Sequence, residues 1–585
     1  MIDFDAMLRP IANPPNLWGE GALFAFSGMD GPTKTVSQFV ATFDATPYDL
    51  LIHTPRRRVL RVRLPELGRC RIATGDVLAV DTLSGAFLAT FDAWHTIVGL
   101  IPERAELALA FEGWDEPEDV DSDGMMTWDP EAGDAIALAR DDVRWSLAYG
   151  TSPDEARARA DRGLDVDLNA VVEARLEIYR SLPTLPDATQ DRLLKKGVSV
   201  MRVNTLAPEG VNAHDWSTPD RVPHQHMWLW DSVFHSLGMN HLDHDLAWDF
   251  LKSVLARQRE DGMIPHCMYV DGAVSAITQP PILAWGVWEN TCYLDGENVE
   301  ATSERLAYAL PRLERALEWN LAHRDRNDNG LLEWWIEETP TSRSGESGMD
   351  NSPRFDEALT LDAVDFSTFQ ALDMAYTARI AEALGDHEKA DLWGVRASEM
   401  RDRIHRLLWN PELGFYCDRR MDGTLSDVKA VSGFLPLLLP DLPAPRRASL
   451  LSHLSNPETF NTSFPIPSVS VDDPVWSTDM WRGATWINLD YLVREGLRRQ
   501  EAPNVARALE HAILHYVNVY YERYGVLFEF YDAKDEVPPV ACDRKGARRE
   551  PYDLRTKMDS IRDYHWTAAL IVDLLFERGS ISEDV

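Results

Sequence analysis

The stretch that decides the fold covers residues 366–380 and reads FSTFQALDMAYTARI. Its large apolar side chains recur every three or four residues, at Phe366, Phe369, Leu372, Tyr376 and Ile380. Because residues at these intervals share one face of an α-helix, the spacing predicts a helix with a buried face.

The same period recurs elsewhere in the C-terminal two thirds of the chain, at Leu246, Phe250, Leu251, Val254 and Leu255, and again at Val505, Leu509, Ile513 and Val517. Long loops rich in Trp, Gly, Pro and Asp separate these segments. Helices joined alternately by short and long loops predict a mainly α protein whose residues 191–585 form an (α/α)-barrel. The chain shows no exact repeat, so periodicity alone leaves the number of helix pairs open.

The N-terminal part has a different pattern. Residues 60–64 alternate between apolar and polar side chains, residues 72–80 and 86–91 are short apolar runs, and turn residues separate them. This pattern predicts an antiparallel β-sandwich domain over residues 1–150. An acidic loop at residues 115–123 and a helix-favouring stretch at 152–181 follow, and residues 151–190 are predicted to be a linker helix region.

Composition excludes several classes of function. The chain has 585 residues and a formal charge of -37, which would repel nucleic acids and anionic lipids. Its five cysteines are scattered, and its N-terminus has neither a basic segment nor an apolar one. We therefore expect a cytoplasmic protein with no nucleic-acid or membrane partner. The sequence leaves the oligomeric state open.

The first motif whose side chains could take part in catalysis is residues 346–355, ESGMDNSPRF. Gly348 and Pro353 flank Asp350 and predict a loop, and a loop can present a carboxyl group in a pocket. A turn or a helix cap is the alternative explanation for the Asp-Asn-Ser-Pro string.

The second motif, residues 525–532, reads GVLFEFYD and places Glu529 between aromatic residues. A buried carboxylate needs a partner, so either a catalytic role or a simple salt bridge to an arginine explains it. Two carboxyl groups in different environments are what the hydrolysis of an acetal requires. The chain also has twenty tryptophans, and indole faces stack well on sugar rings.

Six strings, spread over roughly residues 200–575, resemble those of glycoside hydrolase family 63, particularly its bacterial members that act on small α-glucosides and on glucosyl- or mannosylglycerate. The strings are WLWDSVF (228–234), DGMIPH (261–266), TQPP (278–281), SGMDNSPRF (347–355), WRGATWINLDYL (481–492) and YHWTAALIVDLL (564–575). As an ordered set they are far more specific than any one of them.

The resemblance implies an (α/α)6 barrel behind a β-sandwich and an inverting, exo-acting α-glycosidase that hydrolyses a small α-glucoside. Asp350 would be the general acid, with its pKa raised by burial, and Glu529 the general base, the two standing roughly 6.5–9.5 Å apart. The predicted substrate-binding residues are Trp230, Asp231, Gln279, Glu346, Arg354, Trp481, Arg482 and Trp486. The chemistry needs no cofactor.

Residues 325–333, DRNDNGLLE, follow the start of a calcium-binding loop. The ligands of a structural Ca²⁺ would be Asp325, Asn327, Asn329 and Glu333, and some family 63 members carry Ca²⁺ on a similar loop. The glutamate expected at position twelve is absent, and an ordinary Asn-Gly turn explains the segment equally well.

Three other functions stay open. A trehalase-like hydrolase would have a related acid motif. A sugar epimerase on an (α/α) barrel would depend on histidines such as His266 for proton transfer at carbon. A non-catalytic saccharide-binding protein would bind glucose and release no product.

Overall fold

The computed structural model describes most of the chain. The described residues are 2–35, 39–43, 49–53, 58–64, 66–111, 119–121, 125–222, 224–294, 299–337, 339, 342–357, 359–546 and 559–581.

Two antiparallel sheets make up the N-terminal part. The strands are β1 (Val40–Phe43), β2 (Asp49–His53), β3 (Arg58–Arg63), β4 (Cys70–Ala73), β5 (Val77–Thr82), β6 (Gly85–Ala93), β7 (Thr96–Leu100), β8 (Glu106–Phe111), β9 (Asp119–Asp121), β10 (Met126–Asp129), β11 (Asp134–Arg140) and β12 (Arg144–Gly150). One sheet has the order β1-β2-β3-β8 and the other β4-β5-β6-β7-β12-β11-β10-β9. Alternate residues of both sheets share one hydrophobic cluster, so the sheets face each other across a common core.

The predicted strands around residues 60–64, 72–80 and 86–91 are confirmed as β3, the β4–β5 hairpin and β6. Within the predicted acidic loop, Asp119–Asp121 forms the edge strand β9, and the rest of residues 115–123 lies outside the described residues.

Helices α1 (Phe4–Leu8), α2 (Pro153–Leu164) and α3 (Leu168–Ser181) accompany the sheets. The helix-favouring stretch at 152–181 is divided into two helices because Asp167 accepts hydrogen bonds from the amides of Asn169 and Ala170 and so caps a new helix. Small side chains of α2, Ala156 and Ala160, pack on the outer face of the eight-stranded sheet. The division of the chain into three segments stays a prediction.

The remainder is helix-rich. Its helices are α4 (Ala188–Val203), α5 (Leu229–Met239), α6 (His244–Ala256), α7 (Leu283–Thr291), α8 (Val299–Arg324), α9 (Val364–Ala383), α10 (His387–Leu407), α11 (Ala444–Ser455), α12 (Ile487–Arg499), α13 (Pro503–Tyr524) and α14 (His565–Ile581). The helices predicted from spacing are confirmed as α6, α9 and α13. Among the described residues, no helix combines the length and the apolar composition that crossing a membrane requires.

Contacts between these elements run round a closed cycle. Helix α5 packs on α7, α7 on α9, α9 on the 3-10 segment Val431–Leu438, that segment on α12, α12 on α14, and α14 on α5. Helices α6, α8, α10, α13 and α4 each contact members of the cycle. Residues at the starts of α5, α12 and α14 lie near one another, as the side-chain contacts below show.

One buried carboxylate joins the two parts of the molecule. Asp563 accepts hydrogen bonds from the amide of Leu23, which precedes β1, and from the amide of Leu527. It also forms an ion pair with Lys196 of α4 at 2.8 Å. The N-terminal segment, α4 and the stretch that carries Glu529 therefore meet at a single side chain.

Candidate active site

A cavity of about 260 Å³ lies at the N-terminal ends of α5, α12 and α14. Asp350 and Glu529 both line it, so the structure brings the two predicted catalytic carboxylates to one cavity. Five of the predicted substrate-binding residues also line it: Trp230, Asp231, Gln279, Trp481 and Trp486.

Asp350 lies on a loop between two short 3-10 turns, Gly345–Ser347 and Pro353–Phe355. Gly348 adopts φ +72°, and a Cβ at this position would overlap the indole of Trp230. Only glycine therefore allows the loop to pass this close to the tryptophan. The neighbouring Asn351 accepts a hydrogen bond from the amide of Trp481 at 3.1 Å and ties the loop to the next wall of the cavity.

The carboxylate of Asp350 forms an ion pair with Nζ of Lys545 at 2.7 Å and is 20% exposed. Burial raises the pKa of Asp350, but the charge of Lys545 and its hydrogen bond outweigh burial and hold the pKa below its usual value. The prediction of a raised pKa is therefore wrong for this state of the protein, because sequence reasoning did not foresee the lysine.

Glu529 lies on an extended segment whose backbone bonds fix it. Its amide donates to the carbonyl of Ile561 at 2.8 Å, and residues on either side pair with Thr485 and Arg562. Its carboxylate is 3% exposed and receives Nε of Arg544 at 3.0 Å. The salt bridge considered as an alternative explanation is therefore present, and the same carboxylate lines the cavity.

Arg544 and Lys545 are adjacent residues that bind the two carboxylates separately, and sequence reasoning missed both. Asp479 anchors them, since its oxygens accept the amides of Lys545 and Gly546 at 2.8 and 2.9 Å. The available signal was a pair of neighbouring bases, fifteen residues after Glu529, in a strongly acidic chain. No pattern in the sequence linked that pair to Asp350.

Aromatic rings build one wall of the cavity. Trp481 and Trp486 stack with their centroids 3.7 Å apart, and Trp566 meets both Trp486 and Trp230 edge to face at 5.7 Å. Trp230, Trp481 and Trp486 are at most 2% exposed. Each ring is held by another ring, which gives a rigid apolar surface of the kind that stacks on a sugar.

Two polar residues face this wall from the start of α5 and the loop before α7. Asp231 is buried, and burial, reinforced by the nearby charge of Glu529, raises its pKa well above the usual range. The side-chain oxygen of Gln279 accepts the amide of Trp230 at 3.1 Å. This bond satisfies a free amide of the first helical turn and holds Gln279 in the cavity.

Three predicted substrate-binding residues do not line the cavity. Glu346 pairs with Arg324 and accepts the amides of Thr278 and Trp335. Arg354 pairs with Asp365 and Asp418, and Arg482 pairs with Asp356. Their charged groups are paired with other side chains of the protein, and Arg482 also donates to the carbonyl of Asn351, next to Asp350.

The proposed calcium loop is satisfied by its own backbone. Asp325 accepts the amides of Asn329 and Gly330, and the side-chain oxygens of Asn327 and Asn329 also accept loop amides. Burial raises the pKa of Glu333 to about 7. The described part of the chain has no group of three His, Cys, Asp or Glu placed to hold a metal ion. These bonds favour the Asn-Gly turn, and the calcium site stays a prediction.

Other lining residues were quoted in motifs without a role. Trp228 and His266 meet edge to face at 4.5 Å, and burial lowers the pKa of His266 to about 4. Tyr564 and Trp566 belong to the string YHWTAALIVDLL at the start of α14, and Glu337 also lines the cavity. The sequence could have indicated these residues only because they lie in, or near, the strings that resemble the family.

Comparisons with known proteins point to a family of glycoside hydrolases. Residues 224–567 match the family model of the mannosylglycerate hydrolase MGH1-like glycoside hydrolase domain. The mannosylglycerate hydrolase of Thermus thermophilus is 27% identical over 378 residues, which cover 52% of this chain and 87% of the relative. The glucosylglycerate hydrolase of Mycolicibacterium hassiacum is 28% identical over 204 residues, 30% of this chain and 43% of the relative.

Among solved structures, a family 63 mannosylglycerate hydrolase of Thermus thermophilus in complex with glucose is similar, with a TM-score of 0.52 and 25% identity. The likeness covers 65% of this chain and 99% of that one.

Proposed function

The chain belongs to the mannosylglycerate hydrolase MGH1-like glycoside hydrolases of family 63, and from this premise we propose that it is an inverting, exo-acting α-glycosidase. The observation that supports this proposal most is that Asp350 and Glu529 line one cavity beside a wall of tryptophans. The closed cycle of helix contacts and the surrounding outer helices support an (α/α)6 barrel as the catalytic fold.

Asp350 is proposed as the proton donor to the departing glycosidic oxygen. To donate, it must first separate from Lys545, because the ion pair stabilises its charged form. Once the ammonium group has moved, its lowering effect on the pKa is gone, and burial, the largest single influence, is opposed only by the weaker effects of His266 and Arg544. We infer that a substrate entering the outer part of the cavity displaces Lys545, whose side chain is 34% exposed.

Glu529 is proposed as the base that takes a proton from the attacking water. Arg544 and the backbone at Ile561 orient the carboxylate and leave it little freedom. A water activated by a base on the opposite face of the sugar from the acid would attack C1 directly and invert its configuration. One proton thus leaves the water for Glu529 while another passes from Asp350 to the leaving group.

The proposed substrate is a small α-glucoside, either a disaccharide or a glucosylglycerate-type conjugate. A cavity of about 260 Å³ is small for a ligand pocket and suits one sugar ring with a short aglycone. Buried Asp231, whose pKa burial raises well above the usual range, would form a hydrogen bond with a ring hydroxyl. The free cysteines suit the cytoplasmic location that we infer.

The test is a panel of α-glucosides and α-mannosides, including glucosylglycerate, mannosylglycerate, trehalose and isomaltose, with NMR of the first-formed sugar. Inversion predicts that the β-anomer is released first. Release of the α-anomer would refute inversion, and turnover of trehalose alone would favour the trehalase-like alternative. A preference for mannosylglycerate would support the proposed hydrolysis but would replace glucose by mannose as the sugar bound at the inner subsite.

Substitution of His266, which lines the same cavity, distinguishes an epimerase from the proposed hydrolase. An epimerase would lose all activity in His266→Ala and retain it in Asp350→Asn, whereas the hydrolase proposed here requires the reverse ranking. A binding protein would yield no product with any sugar of the panel.

A further inference from the structure

A second cavity, here called the distal pocket, lies at the other end of the helix cycle. Its volume is about 300 Å³, and its walls come from α9, α10, the end of the segment Val431–Leu438 and the residues just after it, and α12. It includes Arg499, the last residue of α12, whereas the residue before α12, Trp486, lines the candidate active site. The two cavities therefore occupy opposite ends of α12.

The floor of the distal pocket is apolar and aliphatic. Leu372, Leu438 and Leu439 are at most 3% exposed, and alanines of α9 and α10 complete the lining. Beside them, Gly394 of α10 has no atom within 4 Å of where a Cβ would lie. The missing side chain thus leaves open space in the wall, at a position where a helix would tolerate a larger residue.

Three arginines surround this floor: Arg379, Arg401 and Arg499. Among the described residues, Arg499 donates only to neutral groups, the hydroxyl of Tyr376 at 2.8 Å and the carbonyl of Leu438 at 3.1 Å. Arg379 is exposed and lies over the rings of Trp288 and Tyr376. Neither forms an ion pair with a described residue, although Glu289 is within electrostatic range of Arg499.

Arg401 adds a donor that lacks a partner. Its terminal nitrogens pair with Asp441 and Asp402, whose side chains are 78% and 64% exposed, and donate to the hydroxyl of Ser398, whereas its Nε is buried without a hydrogen-bond partner among the described residues. In a chain with a formal charge of -37, the two arginines beside this cavity that have no ion pair with a described residue, Arg379 and Arg499, favour an anion as its ligand.

From these observations we propose that the distal pocket binds a carboxylate with a short alkyl chain, the chemistry of a medium-chain fatty acid. The carboxylate lies among the guanidinium groups, and the chain lies on the leucine and alanine floor. A volume of about 300 Å³ is at the lower limit for small-molecule pockets and excludes a peptide segment. The aliphatic lining favours an alkyl chain over a planar ring.

Isothermal titration of the full chain with octanoate tests the proposal, with acetate and 1-octanol as probes that keep only the head or only the chain. Octanoate should bind saturably at one site, and both partial probes should bind at least tenfold more weakly. Octanol binding as tightly as octanoate would overturn the anion selectivity, and the absence of saturable octanoate binding would overturn the whole proposal.

Gly394→Leu fills the open space and should weaken octanoate binding at least tenfold. Leu392→Phe is the matched control, because residue 392 lies about 200° from 394 around α10 and points away from the pocket. Arg379→Gln, which replaces an exposed side chain, should also weaken octanoate binding and leave octanol unaffected. Circular dichroism and glycosidase activity verify folding in each variant. Self-association that Gly394→Leu abolishes would identify a second copy as the occupant and contradict the proposal.

Discussion

Asp350 and Glu529 stand in the same cavity but are held in opposite ways. Glu529 is on an extended segment whose amide and carbonyl groups pair with neighbouring segments, and it is 3% exposed. Asp350 is on a loop that bonds to itself, since the carbonyl of Asp350 accepts the amides of Arg343 and Ser344, and its side chain is 20% exposed. The segment of Glu529 is held by backbone pairing with distant segments, whereas the Asp350 loop is closed locally and carries the more exposed carboxylate.

The cations beside the two carboxylates differ in the same way. Arg544 is 10% exposed and contacts both oxygens of Glu529, whereas Lys545 is 34% exposed and contacts Asp350 through a single nitrogen. An arginine fork holds a carboxylate in one orientation, and a lysine on a flexible stem releases it more readily. The firmly held cation, Arg544, and the more easily released cation, Lys545, are thus consecutive residues.

Removing either carboxylate should give the largest effect. Asp350→Asn and Glu529→Gln should each lower kcat by about 10²–10⁴-fold or more, since each removes a proton-transfer step. Asp231→Asn is the comparison, because burial raises the pKa of Asp231 and so favours its neutral form, which an amide resembles, and this change should cost less. Steady-state kinetics on the preferred glycoside measure the ranking, and a larger loss at Asp231 would transfer the acid role to it.

Breaking the ion pair between Arg544 and Glu529 should lower both stability and activity. Arg544→Gln leaves the charge of Glu529 buried, and we expect a loss of about 3 kcal/mol in the free energy of unfolding, with a large fall in kcat. Arg482→Gln breaks an ion pair with the 44% exposed Asp356 and should cost at most about 1 kcal/mol. Urea unfolding of both variants tests the difference, and equal losses would show that burial of Glu529 is unimportant.

The loop that carries Asp350 should be sensitive to a single methyl group added at Gly348. In Gly348→Ala the added carbon overlaps Trp230 in addition to adopting a left-handed backbone, so kcat/KM should fall about tenfold or more. Gly385→Ala has a similar φ, +77°, with no neighbour within 4 Å, and should cost only the backbone strain of about 1 kcal/mol. Thermal unfolding and kinetics of the pair separate strain from displacement of the loop.

Removing the exchangeable cation should give the smallest change in stability, below about 1 kcal/mol, because the pair is partly exposed. Lys545 lowers the pKa of Asp350, so Lys545→Met should raise it. Since the donor must be protonated, the alkaline limb of the pH profile of kcat/KM should move to higher pH. A limb that stays in place, or moves to lower pH, would contradict the pairing.

Local patterns predicted much of this architecture. The periodicity of Phe366 to Ile380 predicted α9 because tertiary packing there reinforces the helical period, and the β4–β5 hairpin followed from its turn residues. The break at Asp167 was missed because a capping side chain inside a helix-favouring stretch carries no period. The cycle of helices is a property of long-range contacts, which one sequence without repeats does not reveal.

The candidate site was predictable only where chemistry and resemblance coincided. Motif membership favoured Trp230 and Trp481, which line the cavity, and equally Glu346 and Arg354, which do not. A charged residue in a motif can contact the substrate or can hold a loop in place through an ion pair. Only the position of its partner in the structure distinguishes the two roles. The lowering of the pKa of Asp350 by Lys545 could not be predicted, because the two residues are almost two hundred positions apart in the sequence.

The junction at Asp563 limits how modular the protein can be. A version trimmed to its helices would lose the amide of Leu23, leaving the carboxylate of Asp563 with Lys196 and the amide of Leu527 as its described partners. Any attempt to transplant the helix-rich part onto another scaffold should therefore carry the segment around Leu23 with it, so that this buried side chain keeps all three donors.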